Sequence, residues 1–562
     1  MKNGIKAFAL IAIIFTIVYL SGIVNFDTND DLAVISMLKG YFDWGSNIPP
    51  FLSPILSMAL IKLYSVNYDF PWFSLLQYLT MFICMYWGVK IILSTSWSRL
   101  SKIALIMILL SLYSYILIRP NFGATSLFLG FMTSIYVAYL NLKGNGFWLS
   151  YLVAGIILSL SYMFKVENIL IVLPIIFPVF FTFLLSSDTR NKFFVMLIPI
   201  AVAAIVSLLV NSHILDYYYS VHSSMSTFFS FHLNEMPKSL NLNAAGWNYD
   251  DYYVASTWFT HDQTIFGSDK IYQFLFYDVF HIFIPYVISQ ITLIGVVKAS
   301  MPFVLVILLG LIIILDSNRK PFTFELQKTK VFWIKWLVIL SLVTMIGGIT
   351  ALALYRFPPR VFIPLFVYAF FVVLLARSLM MIDKRPIFNN IRKGLLGGIL
   401  CLIILLLILQ IGKYQKVNEL MIKYQDNANV TITTIKNMIG DDVIFLDGAG
   451  CGASFIFTDP FEETVGVDYS LVVPGWGINT PAYYDFLRRH NIPVSKIVEY
   501  SINNQKVVYR FYCPGWESVD VFERHFNKHY GSDTKVLKFE IVKDFRQSDW
   551  EYNYLYMRLV QQ

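Results

Sequence analysis

Uncharged, mostly apolar windows of 16 to 23 residues, separated by one or a few charges, recur along the chain up to residue 412. They cover 7–26, 70–89, 103–118, 120–142, 144–164, 168–187, 193–215, 299–315, 336–355, 361–376 and 394–412. A helix rises about 1.5 Å per residue, so each window is of a length to cross a bilayer core of roughly 30 Å. The windows are continuously apolar and do not alternate, which excludes a β-barrel. A further window, 279–297, reads as an interfacial or re-entrant helix, because a full crossing there would turn the two most basic loops to the outside.

Three polar regions interrupt or follow the apolar windows, at 27–69, 216–298 and 413–562. Within the first, 53–64 is apolar but short, as a helix lying in the membrane interface would be. The tail changes period. Its β-branched and aromatic runs at 443–446, 506–512, 535–542 and 552–560 predict strands, and 519–530 predicts a helix. The expected fold is an all-α polytopic membrane domain over 1–412, with about eleven transmembrane helices and interfacial helices in its loops. A small C-terminal α/β extracytoplasmic domain over 413–562 completes it. The sequence shows no internal repeat and no low-complexity segment.

Composition sharpens this reading. Apolar residues make up 57% of the 562 and charged residues 14%, against about 25% charged in soluble chains. A soluble enzyme, a disordered chain and a disulfide scaffold are all excluded. The formal charge of +7 comes from Lys and Arg in short loops, with no basic stripe interleaved with aromatics, so nucleic acid is not the expected partner. With the N-terminus inside, eighteen Lys and Arg fall in short inner loops and six in short outer ones. That predicts a multi-pass protein of the cell membrane with a cytoplasmic N-terminus and an extracytoplasmic C-terminal domain. The window 7–26 is too long for a signal-peptide core and is expected to be the first span. Cys84 and Cys401 sit in apolar windows, and Cys451 and Cys513 in the tail, with no metal-type spacing.

Candidate chemistry begins just outside the first span, in NFDTNDDLAVISMLKG at 25–40. Asp27, Asp30 and Asp31 are spaced i, i+3, i+4, so on a helix they would share one face. Such a face could hold a divalent cation such as Mg or Mn, through Asp30 and Asp31, or set one carboxylate as a general base beside another. The competing reading is helix capping, which also favours Asp in a first turn. Arg119 in IRPNF, Lys165 and Glu167 between two spans, and Arg356 and Arg360 in YRFPPRV are all expected on the same side. Arg forks suit phosphate oxygens, while snorkelling from span ends explains any one of these cations equally well. Asp250 and Asp251 in NYDDYY, with Trp258 and His261 in WFTHD, suit sugar by ring stacking and hydroxyl hydrogen bonds, as does an interfacial aromatic belt. The five histidines in or beside this loop, His213, His222, His232, His261 and His281, fit no zinc spacing. In the tail, GAGCG at 448–452 and VPGWGINTP at 473–481 read as turns, and Tyr469, Trp476 and Trp516 as core or acceptor-facing aromatics.

Together, NDD after the first span, the short apolar segment 53–64, the outer cations and a globular tail on their side resemble the GT-C class of polytopic glycosyltransferases. The segments NDDLAVISMLKGYF and GWNYDDYYVASTWF are also similar to membrane proteins that decorate cell-surface polymers in Gram-positive bacteria. The resemblance implies transfer of a hexosyl or pentosyl unit from a polyprenyl-phosphate sugar to a cell-surface polysaccharide or teichoic-acid-like acceptor. It implies Asp30 as base and Asp31 as its partner or a metal ligand. Arg356 and Arg360 would bind the donor phosphate, with Arg119 and Lys165 as further phosphate ligands. A polymerase or ligase using diphosphate-linked oligosaccharides, a lipid-linked-sugar flippase and a non-catalytic scaffold stay open as rivals. A flippase would show repeats and a midplane site, and neither is visible.

Overall fold

The computed structural model describes residues 2–27, 29–39, 49, 51–143, 147–184, 187–214, 239–257, 259–281, 308–309, 311–312, 359–379, 389–447, 460, 483, 487–493, 496–512, 517–545 and 554–562. Most of them are helical. The first helices in chain order are α1 (Lys2–Leu20), α2 (Asn29–Lys39), α3 (Pro54–Val66), α4 (Trp72–Leu93), α5 (Arg99–Ile118), α6 (Phe122–Lys143) and α7 (Trp148–Phe164). A short 3₁₀ turn (Val166–Asn168), α8 (Ile169–Leu184) and α9 (Ser187–Ile214) follow. Next come α10 (Ser239–Ala245), α11 (Tyr249–Ser256), α12 (Gln263–Phe266), α13 (Ser268–His281), α14 (Pro359–Leu379) and α15 (Asn389–Ile439). The C-terminal part adds α16 (Ile497–Ser501), α17 (Glu517–Tyr530) and strands β1 (Ile444–Asp447), β2 (Val507–Tyr512), β3 (Leu537–Asp544) and β4 (Tyr554–Gln561).

By length and composition, six of the described helical stretches could cross a membrane: Lys2–Leu20, Trp72–Leu93, Arg99–Ile118, Phe122–Lys143, Arg190–Ser207 and Lys393–Leu420. The pair Trp148–Phe164 and Val166–Pro178, bent by 119°, would make a seventh. Helix α6 is the centre of the bundle, buried along most of its length and packed on α4, α7, α8 and α14. Several of its polar groups are satisfied by other groups of the bundle, as a water-free environment demands. Ser126 Oγ donates to the Ser161 carbonyl at 2.7 Å, and Ser161 Oγ returns the bond to the Ser126 carbonyl at 2.6 Å. Gly155 lets α7 and α9 touch, since a Cβ there would lie 2.3 Å from the Met196 carbonyl oxygen. By contrast, α1 and α15 expose Ile13, Ile17, Leu405, Ile408 and Leu409, a surface fit for a lipid bilayer.

The first apolar window ends sooner than the sequence suggests. Helix α1 stops at Leu20, and Gly22 adopts the left-handed backbone (φ 62°) that glycine tolerates. Residues 23–27 then run extended along the α5–α6 turn, where Asn25 N–H donates to the Ile118 carbonyl and Asp27 N–H to the Pro120 carbonyl, each at 3.0 Å. The short segment expected at the interface is α3, capped by Ser53 Oγ on the Leu56 N–H. The window 336–355 and most of 279–297 and 299–315 lie outside the described residues.

The four strands pair in the order β1-β2-β4-β3, with β1 and β2 parallel and the other neighbours antiparallel. Helix α17 lies on β3, and Phe522 and Phe526 meet Tyr509, Phe511 and Phe539 in an aromatic core. The loop segment α10–α13 belongs to this same core through Trp247, Tyr252, Phe259, Phe266 and Phe274. Met37 of α2 is buried there too, while Val34, Ile35 and Leu38 of α2 are buried in the helix bundle. Helix α2 is therefore held between the two cores. No break separates bundle from tail at 412 and 413, because α15 runs unbroken from Asn389 to Ile439.

Candidate functional site: an acidic and cationic cluster beneath the α/β unit

Helix α2 carries Asp30 and Asp31 in its first turn. Asp27 precedes the helix on the extended run, so the three do not form one helical face, although Asp27 and Asp30 both stay near enough to act on Asp31. Asp31 turns inward and is wholly buried. Its Oδ1 accepts from the Phe122 N–H at 2.8 Å and the Gln77 amide at 3.1 Å, and its Oδ2 accepts from the Asn121 amide at 3.0 Å. Asn121 cannot flip, because its Oδ1 caps α6 by accepting from the Gly123 and Ala124 N–H groups at 3.0 and 3.2 Å. Burial pushes the Asp31 carboxyl up to about 8, against the pull of the Phe122 and Gln77 bonds and with a further push from Asp30 and Asp27. Asp31 thus ties α2 to α4 and α6, while half-buried Asp30 stands beside it at the surface of the cluster.

The cations converge on these acids. Arg119 Nε lies 3.3 Å from Asp27 Oδ1, both side chains nearly buried, and the Arg119 guanidinium also donates to the Asp27 carbonyl at 3.3 Å. Tyr115 donates its phenol to Asp27, and Tyr414 of α15 packs on Tyr115 with ring centroids 5.8 Å apart. Lys165 leaves α7 where the chain bends, its Nζ 5.6 Å from the Phe51 ring, 5.8 Å from the Phe122 ring and 3.9 Å from Glu167. Asp30, Asp31, Glu167 and Arg360 are the charges near enough to act on Lys165, and Arg360, at the start of α14, also acts on Tyr115. Four helix ends and the run at 23–27 thereby bring Asp27, Asp30, Asp31, Arg119, Lys165 and Arg360 into one cluster. Arg356 and Trp258 lie outside the described residues, as do Tyr469, Trp476, Trp516, Cys451, Cys513 and the two glycine-rich turns.

No protein-family model, curated protein or solved structure matches this chain. What the cluster can do must therefore be read from its own groups. It offers one surface carboxylate, an adjacent buried one that fixes the helix bearing it, and ammonium and guanidinium groups able to meet an anion. As a metal ligand Asp31 fits poorly, because N–H donors engage both of its oxygens and none of its surface is exposed.

The remaining candidates form a second cluster, between the loop and the α/β unit. Asp250 takes a two-pronged ion pair from Arg524, at 2.8 and 3.1 Å. Asp251, wholly buried, closes a capping box with Asn248 at the start of α11 and accepts from His525, Lys528 and His529 of α17. Burial alone would raise the Asp251 carboxyl, but these hydrogen bonds outweigh it and hold the group well below the usual range. His261 meets the Tyr483 hydroxyl at 3.1 Å, and burial lowers its imidazole to about 3, so it is neutral near pH 7. Its neighbour Asp262 caps α12 and accepts from the Tyr530 phenol at 2.6 Å.

Gln77, Asn121, Tyr115 and the partners on α17 escape sequence reasoning. Gln77 is one amide within an apolar window, and Asn121 reads as part of a proline turn. His525 and His529 do have a signal, an i, i+4 pair on one helix face, but their carboxylate partner lies more than 270 residues away.

Proposed function

We propose that the protein is an integral membrane glycosyltransferase of GT-C type. It would transfer a hexosyl or pentosyl unit from a polyprenyl-phosphate donor to a cell-envelope glycopolymer or glycolipid. The reading includes about eleven membrane crossings, a cytoplasmic N-terminus and a site on the extracytoplasmic face. One observation carries it: six charges from four separate stretches of the chain meet at the end of an apolar helix bundle, on and beside a helix that also packs into the globular unit. Charges at membrane depth are costly and mark function more often than packing. Lys6, Lys90, Arg99, Lys102 and Lys143 belong to the opposite helix ends, as a cytoplasmic face requires.

In this proposal Asp30 takes the proton of an acceptor hydroxyl as that oxygen bonds to the anomeric carbon. The bond from that carbon to the lipid phosphate breaks, and its electron pair leaves with the phosphate. Lys165 and Arg360 meet the charge growing on the departing phosphate. Arg119 acts through Asp27, holding the strand that leads into α2, and Asp31 positions the helix that presents Asp30. No step passes through a metal ion.

The test is transfer of radiolabelled sugar from a panel of polyprenyl-phosphate donors to envelope material by membranes carrying the intact protein or Asp30→Asn. Loss of a general base costs roughly 100-fold to 10,000-fold in rate, so the variant should be nearly inert while expressing and folding normally. Normal activity in Asp30→Asn would remove that residue from the mechanism. Transfer from diphosphate-linked oligosaccharides alone would instead assign the protein to the polymerases.

A further inference from the structure

We propose that Asp251, His525 and His529 form a binding site for one divalent transition metal of the zinc class, which would clip the loop helix α11 to helix α17 of the α/β unit. One ligand atom from each residue lies within 4.8 Å of the other two. Asp251 Oδ1 is 2.8 Å from both His525 Nδ1 and His529 Nε2. Ligand atoms of a tetrahedral zinc stand about 3.3 Å apart, given bonds of roughly 2.0 Å, so shifts of about half an ångström would open the set around an ion. Two imidazoles and one carboxylate are a donor set that zinc-class ions favour over magnesium or calcium.

The surroundings divide the work of the carboxylate. Oδ1 faces the two imidazoles, whereas Oδ2 accepts from the Asn248 N–H at 2.8 Å and Lys528 Nζ at 2.6 Å. Outer groups of that sort orient the ligating carboxylate in metal sites. The i, i+4 spacing aims both rings from one face of α17. Asp251 and His525 are buried, while the His529 side chain is 21% exposed and opens a route for an ion and for water as a further ligand. Lys528 sets the rival arrangement, a metal-free hub of hydrogen bonds around Asp251.

The deciding experiment uses the full chain purified in detergent micelles, stripped with EDTA and titrated with zinc chloride by calorimetry. One zinc per chain should bind, and His529→Gln and Asp251→Asn should each weaken it at least tenfold. Zinc should raise the thermal midpoint of the parent but not of His529→Gln, whose partly exposed site lets the metal-free fold persist. Cobalt(II) should give the visible absorption of a four-coordinate ion in the parent alone. Asp30→Asn should bind zinc as the parent does, which separates this site from the proposed reaction. No saturable binding, or equal binding by parent and His529→Gln, would overturn the proposal and leave the hydrogen-bond hub.

Discussion

Asn121 is the smallest handle on the proposed site, and two substitutions there divide its work. Its Oδ1 caps α6 on the Gly123 and Ala124 N–H groups, and its amide donates to Asp31 Oδ2 at 3.0 Å. Loss of an N-cap costs about 1 kcal/mol. Loss of a hydrogen bond to a buried carboxyl costs about 1.5–3 kcal/mol. Asn121→Ala loses both and should destabilise the protein by roughly 2.5–4 kcal/mol. Asn121→Ser keeps a capping oxygen but cannot reach Asp31, so it should lose only the second part, about 1.5–3 kcal/mol. The assay is reversible unfolding in mixed micelles with rising denaturing detergent, followed by tryptophan fluorescence. Because the Lys165 side chain lies just beyond Gly123, where a Cβ would come within 3.6 Å of its Cδ, and Asn168 donates to the Gly123 carbonyl at 2.8 Å, Asn121→Ala should also weaken donor binding. An Asn121→Ala protein within about 0.5 kcal/mol of the parent would refute the assignment of Asp31 as the tie between α2 and α6.

Other consequences are as sharp. Lys165→Met removes the ammonium that faces the Phe51 and Phe122 rings and puts an unbranched apolar side chain in its place, so the donor KM should rise at least tenfold with a smaller effect on stability, as transfer kinetics would show. Gly155→Ala drives a Cβ onto the Met196 carbonyl and should cost about 1–3 kcal/mol, read as a lower thermal midpoint; an unchanged midpoint would contradict the α7–α9 contact. His261 has a folded pKa of about 3 against 6.5 unfolded, so the unfolded chain binds the extra proton. Its contribution is complete above pH 6.5 and falls by up to about 1.4 kcal/mol per unit below that, a slope that unfolding curves should show reduced in His261→Gln. Arg524→Ala breaks an ion pair whose arginine is 57% exposed and should shift stability by about 1 kcal/mol at most.

The membrane helices and the tail strands are legible in the sequence because burial writes its period directly. Apolar windows at 70–89, 103–118 and 120–142 become α4, α5 and α6, and the runs at 506–512 and 552–560 become β2 and β4 within two residues at each end. That Arg119, Lys165 and Arg360 each flank an apolar window is legible as well, though not their meeting in one cluster. The fate of individual carboxylates is not. Asp30 and Asp31 are adjacent and chemically alike, and only the rotation of α2 decides which is buried against Gln77 and Asn121. Asp27 leaves the expected face because Gly22 ends α1 early and commits the following residues to an extended run. Asp250 and Asp251 read as sugar ligands until α17, distant in sequence, folds across them.

Helix α15 fixes a phase as well as a distance. Its 51 residues rise about 75 Å without a break, from the bundle, where Tyr414 packs on Tyr115 and Asn418 donates to the Ile23 carbonyl, to the start of β1. A glycine at 412 inside an unbroken helix is no hinge, so the α/β unit is mounted on a shaft. One residue inserted between 420 and 430 would turn everything beyond it by about 100° and tear α17 from α11, while seven would return it to within about 20° of its starting angle but lift it by about 10 Å, which parts the same contact. Along this stretch the chain should tolerate neither single residues nor whole turns, whereas a domain on a flexible tether would accept both.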